Sequence, residues 1–232
     1  MEISKIIEKN KTSIILIDIL IPKENNQVTK SIRGTGFIVS NDGKFITCAH
    51  LYKEILQNEL PYLGVMVPGK IDERGVMHYE RYSVKLLKMD EENDLALMQI
   101  ITDKKIEFEP IKEIGDPENV KEGDEVIFIG YPLALELIIM GFGITISTNQ
   151  CIISSVKRRG VDGSLHFFFV DTHINNGSSG SPLFLKETGK IIGIVSGRID
   201  NNVQLSDGKM IKIPANMGIC RPAKYIKELI NK

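Results

Sequence analysis

Short apolar runs separated by turn residues govern what this chain can fold into. Stretches of five to ten residues rich in Ile, Val, Phe and Thr recur from end to end, parted by Gly, Asn, Asp or Pro clusters. A buried strand needs only that length, whereas a helix needs a sustained 3.6-residue period. The candidate strands are 13–21, 32–40, 43–48, 62–68, 78–89 and 94–101 in the first half. In the second half they are 124–130, 144–157, 165–172, 181–186, 190–198 and 209–220. Asn41-Asp42-Gly43 between the second and third is a tight-turn signal. Long helical periodicity occurs once, from Pro222 to Ile230, where residues 225, 226, 229 and 230 share an apolar face. Leu51 to Asn58 reads as a short helix. Six strands, the Pro- and charge-rich stretch 102–123, six strands and a terminal helix describe an all-β chain. The expected domains are a six-stranded antiparallel barrel over 1–101, a linker over 102–123, a second six-stranded barrel over 124–221 and a helix over 222–232.

Composition excludes several classes. With 29 basic and 30 acidic residues, a net charge of -1 and mixed signs along the chain, a nucleic-acid binder held by a basic surface is not expected. Lys5, Lys9 and Lys11 before the apolar run Ser13–Ile21 resemble a leader, but Glu2 and Glu8 offset them, Asp18 interrupts the run and no small-residue cleavage site follows. Leu137 to Val156 carries no charge over twenty residues, yet its Gly, Thr, Ser, Asn and Gln content is too polar for a bilayer centre. A soluble, cytoplasmic protein without membrane partners is the expectation. Cys48, Cys151 and Cys220 would then be reduced, buried thiols. Three cysteines so far apart hold neither a disulfide framework nor a structural zinc ion, and no cofactor or metal is expected.

Three segments carry chemistry. Asp171-Thr172-His173-Ile174-Asn175-Asn176-Gly177-Ser178-Ser179-Gly180-Ser181-Pro182-Leu183 is a polar, glycine-punctuated turn leading into an apolar strand. Such a turn can present a hydroxyl outward while backbone N–H groups converge beside it, as acyl transfer requires. It can equally be a solvated loop. Thr47-Cys48-Ala49-His50 places a histidine at a strand end, which alone is more often structural. Asn93-Asp94-Leu95-Ala96-Leu97 places a carboxylate just before a strand, where Asp often only caps a turn.

Together these three give the order His50, Asp94, Ser179, and here the chain resembles the chymotrypsin-fold serine peptidases. The resemblance runs from about residue 13 to 221 and is strongest to bacterial HtrA-like and glutamyl-endopeptidase-like members. Gly34-Thr35-Gly36-Phe37, Gly130-Tyr131-Pro132 and Gly189-Lys190-Ile191-Ile192-Gly193-Ile194 fall in register with the three segments above. It implies two chymotrypsin-like barrels and a serine endopeptidase acting on polypeptides through an acyl-enzyme. Ser179 would be the nucleophile, His50 the general base and acid, Asp94 the carboxylate that orients His50, and the N–H groups of Gly177 and Ser179 the oxyanion hole. Ser178 departs from the usual Asp or Asn, which disfavours activation by a freed amino terminus, and Ser181 replaces a common Gly. The chain stops soon after the catalytic region, so no appended PDZ module is expected.

By the same register His173 and Ile174 would lie at the floor of the pocket for the residue before the cut, with Ser196, Gly197 and Arg198 as its wall. No acidic residue lies at that floor, so cleavage after Lys or Arg is not expected. The alternative is that His173 merely packs and Arg198 points to solvent. Leu133 to Phe142 is either a buried strand extension or an exposed apolar loop near the site, where an activating protein could dock. The competing function is a latent or non-productive protease-fold scaffold serving as a regulatory module. A cysteine hydrolase is excluded because no Cys occupies the nucleophile position.

Overall fold

Burial along the strands explains the architecture. β1 (Ile14–Pro22) is buried over its first six residues, because both its faces are covered. Its one charge, Asp18, is fully buried and accepts a hydrogen bond from Arg81 Nε at 2.9 Å. Burial pushes the Asp18 carboxyl up and the Arg81 guanidinium pulls it partly back. β5 (Met77–Asp90) instead alternates between half-buried and exposed side chains, the pattern of a strand with one wet face. The computed structural model describes residues 1–23 and 27–231.

With β2 (Val28–Ile38), β3 (Lys44–Thr47), β4 (Leu63–Ile71) and β6 (Leu95–Ile101), these strands close an antiparallel barrel in the order β1-β2-β3-β6-β5-β4. The Asn41-Asp42-Gly43 turn joins β2 to β3, with Gly43 at φ 86. A second closed barrel runs β10-β11-β12-β9-β8-β7. Its strands are β7 (Glu125–Gly130), β8 (Ser147–Arg158), β9 (Leu165–Val170), β10 (Pro182–Leu185), β11 (Ile191–Gln204) and β12 (Met210–Pro222). The all-β, double six-stranded expectation is met.

The first barrel's core continues into the second through Ile127, Ile129, Tyr131, Phe184, Ile191 and Ile194. Tyr131 is fully buried there and its hydroxyl donates to Ile14 O at 2.9 Å, locking one barrel on the other. Residues 102–123 are zipped down rather than slack. Phe108 and Ile111 are buried, Ile111 N–H donates to Ile38 O, and Ile191 N–H donates to Glu113 O.

Four helices depart from, or refine, the sequence reading. α1 (Ile3–Asn10) occupies the lysine-containing start, and Ile6 is fully buried. Eight residues give too little periodicity to announce it. α2 (Ala49–Lys53) begins before the expected 51–58. α3 (Ala134–Ile139) lies where a buried strand extension was one expectation; that reading is wrong, because Gly141 and Gly143 adopt positive φ and break any strand. α4 (Ala223–Asn231) buries Tyr225, Ile226 and Leu229 as its apolar face requires; Lys232, the last residue of the expected helix, lies outside the described residues. β11 and β12 also extend beyond the expected 190–198 and 209–220, pairing as a two-stranded ribbon out to Gln204 and Met210. Among the described residues no helix is long and apolar enough to cross a membrane. Cys48, Cys151 and Cys220 are buried and unpaired.

Candidate active site

β3 ends at Thr47 and the chain turns into α2, placing His50 in its first turn. The turn between β5 and β6 brings Asp94 beside it, at φ 55, a left-handed conformation that Asp tolerates better than most residues. Asp94 Oδ1 accepts the His50 backbone N–H at 2.9 Å, and Oδ2 lies 2.9 Å from His50 Nδ1. A carboxylate at Nδ1 keeps the proton there in neutral imidazole and leaves Nε2 as an acceptor. Ser196 Oγ donates to Asp94 Oδ2 at 2.6 Å. Burial raises the Asp94 carboxyl, but hydrogen bonds from His50 and Ser196 and the His50 charge outweigh it, and Asp94 sits below its ordinary value. It stays ionised at neutral pH.

The nucleophile segment is a chain of tight turns. Ser178 N–H donates to Asn175 O and Ser181 N–H to Ser178 O, each at 3.0 Å, while Gly177 and Gly180 take φ of 91 and 90. Among the described residues neither Gly177 N–H nor Ser179 N–H has an intramolecular acceptor. Two free donors flanking one serine suit a developing oxyanion. The Ser179 hydroxyl donates to Ser196 O at 3.4 Å, not to His50. Ser196 therefore joins the two halves, holding Asp94 through its hydroxyl and Ser179 through its carbonyl. From sequence Ser196 reads only as pocket wall; nothing local to it signals the contact with Asp94.

Thr35, in the Gly34-Thr35-Gly36-Phe37 segment of β2, anchors this loop from the other barrel. Its N–H donates to Ser179 O at 2.9 Å. Its hydroxyl donates to Gly177 O at 2.7 Å and accepts Tyr131 N–H at 3.0 Å. Thr35→Val keeps the shape but strips both hydroxyl bonds at a fully buried site. The expected cost is roughly 1–3 kcal/mol, for a donor and an acceptor left unpaired. Urea unfolding should show it as a lower midpoint, with Thr35→Ser near wild type; an unchanged Thr35→Val midpoint would contradict the assignment.

The expected pocket residues take mixed roles, and of them Ser196 touches Ser179. Ile174 is buried in the second barrel's core, so its side chain is unavailable to a ligand. His173 is exposed, not packed. Arg198 is half-buried rather than free in solvent. It pairs through Nε with Asp200 at 2.9 Å and donates through Nη1 to Ile174 O at 3.2 Å. Nothing lies within 4 Å of a side chain built on Gly197, leaving open space at the wall.

Cys48, His50 and Asp94 offer three ligand-type atoms within 4.8 Å of one another. Burial, and then the Asp94 charge, push the Cys48 thiol well above its ordinary value, and it donates to Val195 O at 3.3 Å. A protonated, engaged thiol is a poor ligand and a poor nucleophile.

The 133–142 stretch is an exposed apolar surface, with Ile139, Met140 and Phe142 each about two-thirds or more exposed. Leu133 N–H donates to Asn176 O at 2.7 Å. Because amide N–H and C=O point oppositely across a trans peptide, this bond turns the Gly177 N–H away from Leu133.

Comparison with known proteins shows the family. The model of a trypsin-like peptidase domain matches residues 34–194. The magnetosome formation protease MamE of Magnetospirillum gryphiswaldense is 34% identical over 179 residues, 75% of this chain and 20% of that protein. A probable periplasmic serine endoprotease, DegP-like, of a Marinomonas species is 31% identical over 175 residues, 73% of this chain and 30% of its own. Human serine protease HTRA3 is 26% identical over 99% of this chain and 45% of its own. The chain thus spans a fifth to less than half the length of these relatives. The structure of an HtrA-type protease, AlgW, with a decapeptide superposes with a TM-score of 0.68 at 20% identity, covering all of this chain and 67% of that one.

Proposed function

Because the chain belongs to the trypsin-like peptidase family and within it is similar to HtrA-like serine proteases, we propose that it is a serine endopeptidase whose triad is His50, Asp94 and Ser179. The observation that carries this reading is the double role of Ser196, which holds Asp94 at 2.6 Å and Ser179 at 3.4 Å. Ser179 Oγ attacks the scissile carbonyl and gives its proton to His50 Nε2. The Gly177 and Ser179 N–H groups receive the oxyanion. His50 returns the proton to the leaving amine, and water then releases the acyl group by the same route. Hydrogen bonds between catalytic groups are often loose before substrate arrives, which fits a Ser179 hydroxyl resting on Ser196.

Specificity follows from charge. The pocket region offers His173, Ser196, Gly197 and Arg198; the Asp200 carboxylate is held by Arg198 and the Asp94 carboxylate by His50 and Ser196. A Lys or Arg side chain would be desolvated without a free partner. A mixed peptide library digested with the protein and read by mass spectrometry should therefore show cleavage, with Lys and Arg scarce before the cut. Cuts dominated by Lys and Arg would overturn the pocket reading alone. No cleavage at all would favour the second reading, a latent protease-fold module. That reading draws on the Ser179 hydroxyl's bond to Ser196 and on the exposed Ile139, Met140 and Phe142. A protein seated there would act on the Gly177 donor through the Leu133–Asn176 bond. Three unpaired buried thiols support residence in a reducing compartment, here the cytoplasm.

A further inference from the structure

The sequence contains a single Asn–Gly step, and it lies inside the nucleophile loop, at Asn176-Gly177. An asparagine can react with its own backbone when the next amide nitrogen attacks the side-chain carbonyl carbon. Glycine after it is the permissive case, because no Cβ obstructs the five-membered ring. Folded chains usually prevent the reaction by pairing that amide and fixing its peptide. Both restraints are weak here. Asn176 is exposed, and among the described residues Gly177 N–H has no intramolecular acceptor.

The 176–177 peptide is the centre of a turn. Ser178 N–H donates to Asn175 O, Gly177 takes φ 91, and Asn176 is not among the residues with positive φ. Those features define a type II turn, in which ψ of Asn176 is about +120° and the Gly177 nitrogen faces away from the Asn176 side chain. Ring closure therefore needs that peptide to rotate. Types I and II share the flanking bond and differ by a turned central peptide, so Ser178 need not release Asn175. What resists rotation is the bond from Leu133 N–H to Asn176 O at 2.7 Å. Leu133 is itself held at φ 52, a left-handed conformation costly for leucine. On the other side of the carbonyl, Arg198 Nη1 lies 3.4 Å from Asn176 Oδ1. Its charge makes Cγ more electrophilic and stabilises the oxygen as attack turns it negative.

We propose that Asn176 is a self-modification site that limits the working life of the nucleophile loop. Gly177 N bonds to Asn176 Cγ, the Cγ–NH2 bond breaks, and the Gly177 amide proton departs with that group as ammonia. The product is a succinimide. Water then opens the ring at one of its two N–C bonds. Opening at Cγ leaves an aspartate at position 176, and opening at the main-chain carbonyl leaves an isoaspartate, whose backbone is one atom longer. Water is the only co-reactant. The effect on activity rests on the peptidase reading above. Isoaspartate displaces the Gly177 N–H, and aspartate sets a negative charge beside the oxyanion, so either product lowers kcat. An oxygen already held by Gly177 N–H opposes the reaction by fixing the peptide. The loop thus ages when idle and is protected when occupied.

The test ages the purified chain in warm, mildly alkaline buffer and samples it over days. Peptide mass spectrometry should find Asn176 converted about tenfold faster, or more, than the exposed Asn201 and Asn202. Protein isoaspartyl methyltransferase should methylate the aged chain at that position, and fluorophosphonate labelling should fall in step with conversion. Asn176→Gln, which would have to close a six-membered ring, should take no methyl group and keep its own starting level of labelling. Arg198→Ala should convert severalfold more slowly, as should wild-type chain already carrying the phosphonyl adduct. Ser179→Ala should convert at the wild-type rate, because the ring needs only Asn176 and Gly177. Conversion in Ser179→Ala together with fresh wild-type chain that takes no label would sink the peptidase reading and sustain the modification site. Asn176 left intact while Asn201 and Asn202 convert would overturn the site. Labelling that survives full conversion, or that decays equally fast in Asn176→Gln, would overturn its effect on the loop.

Discussion

Replacing Asp94 by Asn is expected to lower kcat/KM by roughly ten-thousandfold without unfolding the protein. Asp94 accepts both the backbone N–H and the Nδ1 proton of His50, and also the Ser196 hydroxyl. An Asn amide can occupy the same space, but its NH2 group donates. Turned toward His50, it would place the ring proton on Nε2, and the base would then be unable to take the Ser179 proton. Turned the other way, it faces the His50 backbone N–H with a donor and still lacks the charge that stabilises the imidazolium. Steady-state kinetics on the best library peptide give the readout. A rate within a few-fold of wild type would remove Asp94 from the mechanism.

Gly177→Ala should be nearly as damaging by a different route. Gly177 sits at φ 91, and a Cβ there would come 2.2 Å from Tyr131 O. Tyr131 is itself fixed, buried and bonded to Ile14 and Thr35, so the loop must yield. Rotation of that peptide swings the Gly177 N–H off the oxyanion position. Loss of one such donor costs about a hundred- to a thousandfold in kcat. KM should change little, because the oxyanion forms only after attack. A kcat within threefold of wild type would mean that the Gly177 N–H is not an oxyanion donor.

Much of this arrangement is legible in the residues, and what is not has physical causes. His50 and Asp94 stand at strand ends, where a polar residue beside an apolar run is conspicuous, and the turn glycines around Ser179 mark that loop. Ser196 is one small residue closing an apolar run, and only the folded barrel shows that its two polar atoms face Asp94 and Ser179. Thr35 lies in a segment noticed for its glycines, yet its bonds cross from one barrel to the other and no local pattern encodes them. Ile174 reads as a pocket residue by position, but tertiary packing claims its side chain. Residues 199–208 carry Asp200, Asn201, Asn202, Ser206, Asp207 and Gly208, the composition of a loop. Val203 and Ile211 are too few to advertise a ribbon, which cross-strand pairing then completes. In Leu133–Phe142 the apolar run alone cannot separate strand from helix, and the glycines at 141 and 143 decide against the strand.

The central claim is that Ser179 is a nucleophile activated by His50. Exposing the purified chain to a fluorophosphonate probe tests it in one step, since the probe phosphonylates a serine only where a base accepts its proton and the oxyanion donors are in place. The account predicts one equivalent of label on the wild-type chain, mapped to Ser179 by peptide mass spectrometry. Ser179→Ala should take up none while its circular dichroism and urea midpoint match the wild type. Label that persists on Ser179→Ala, or a folded wild-type chain that takes up none, would contradict it.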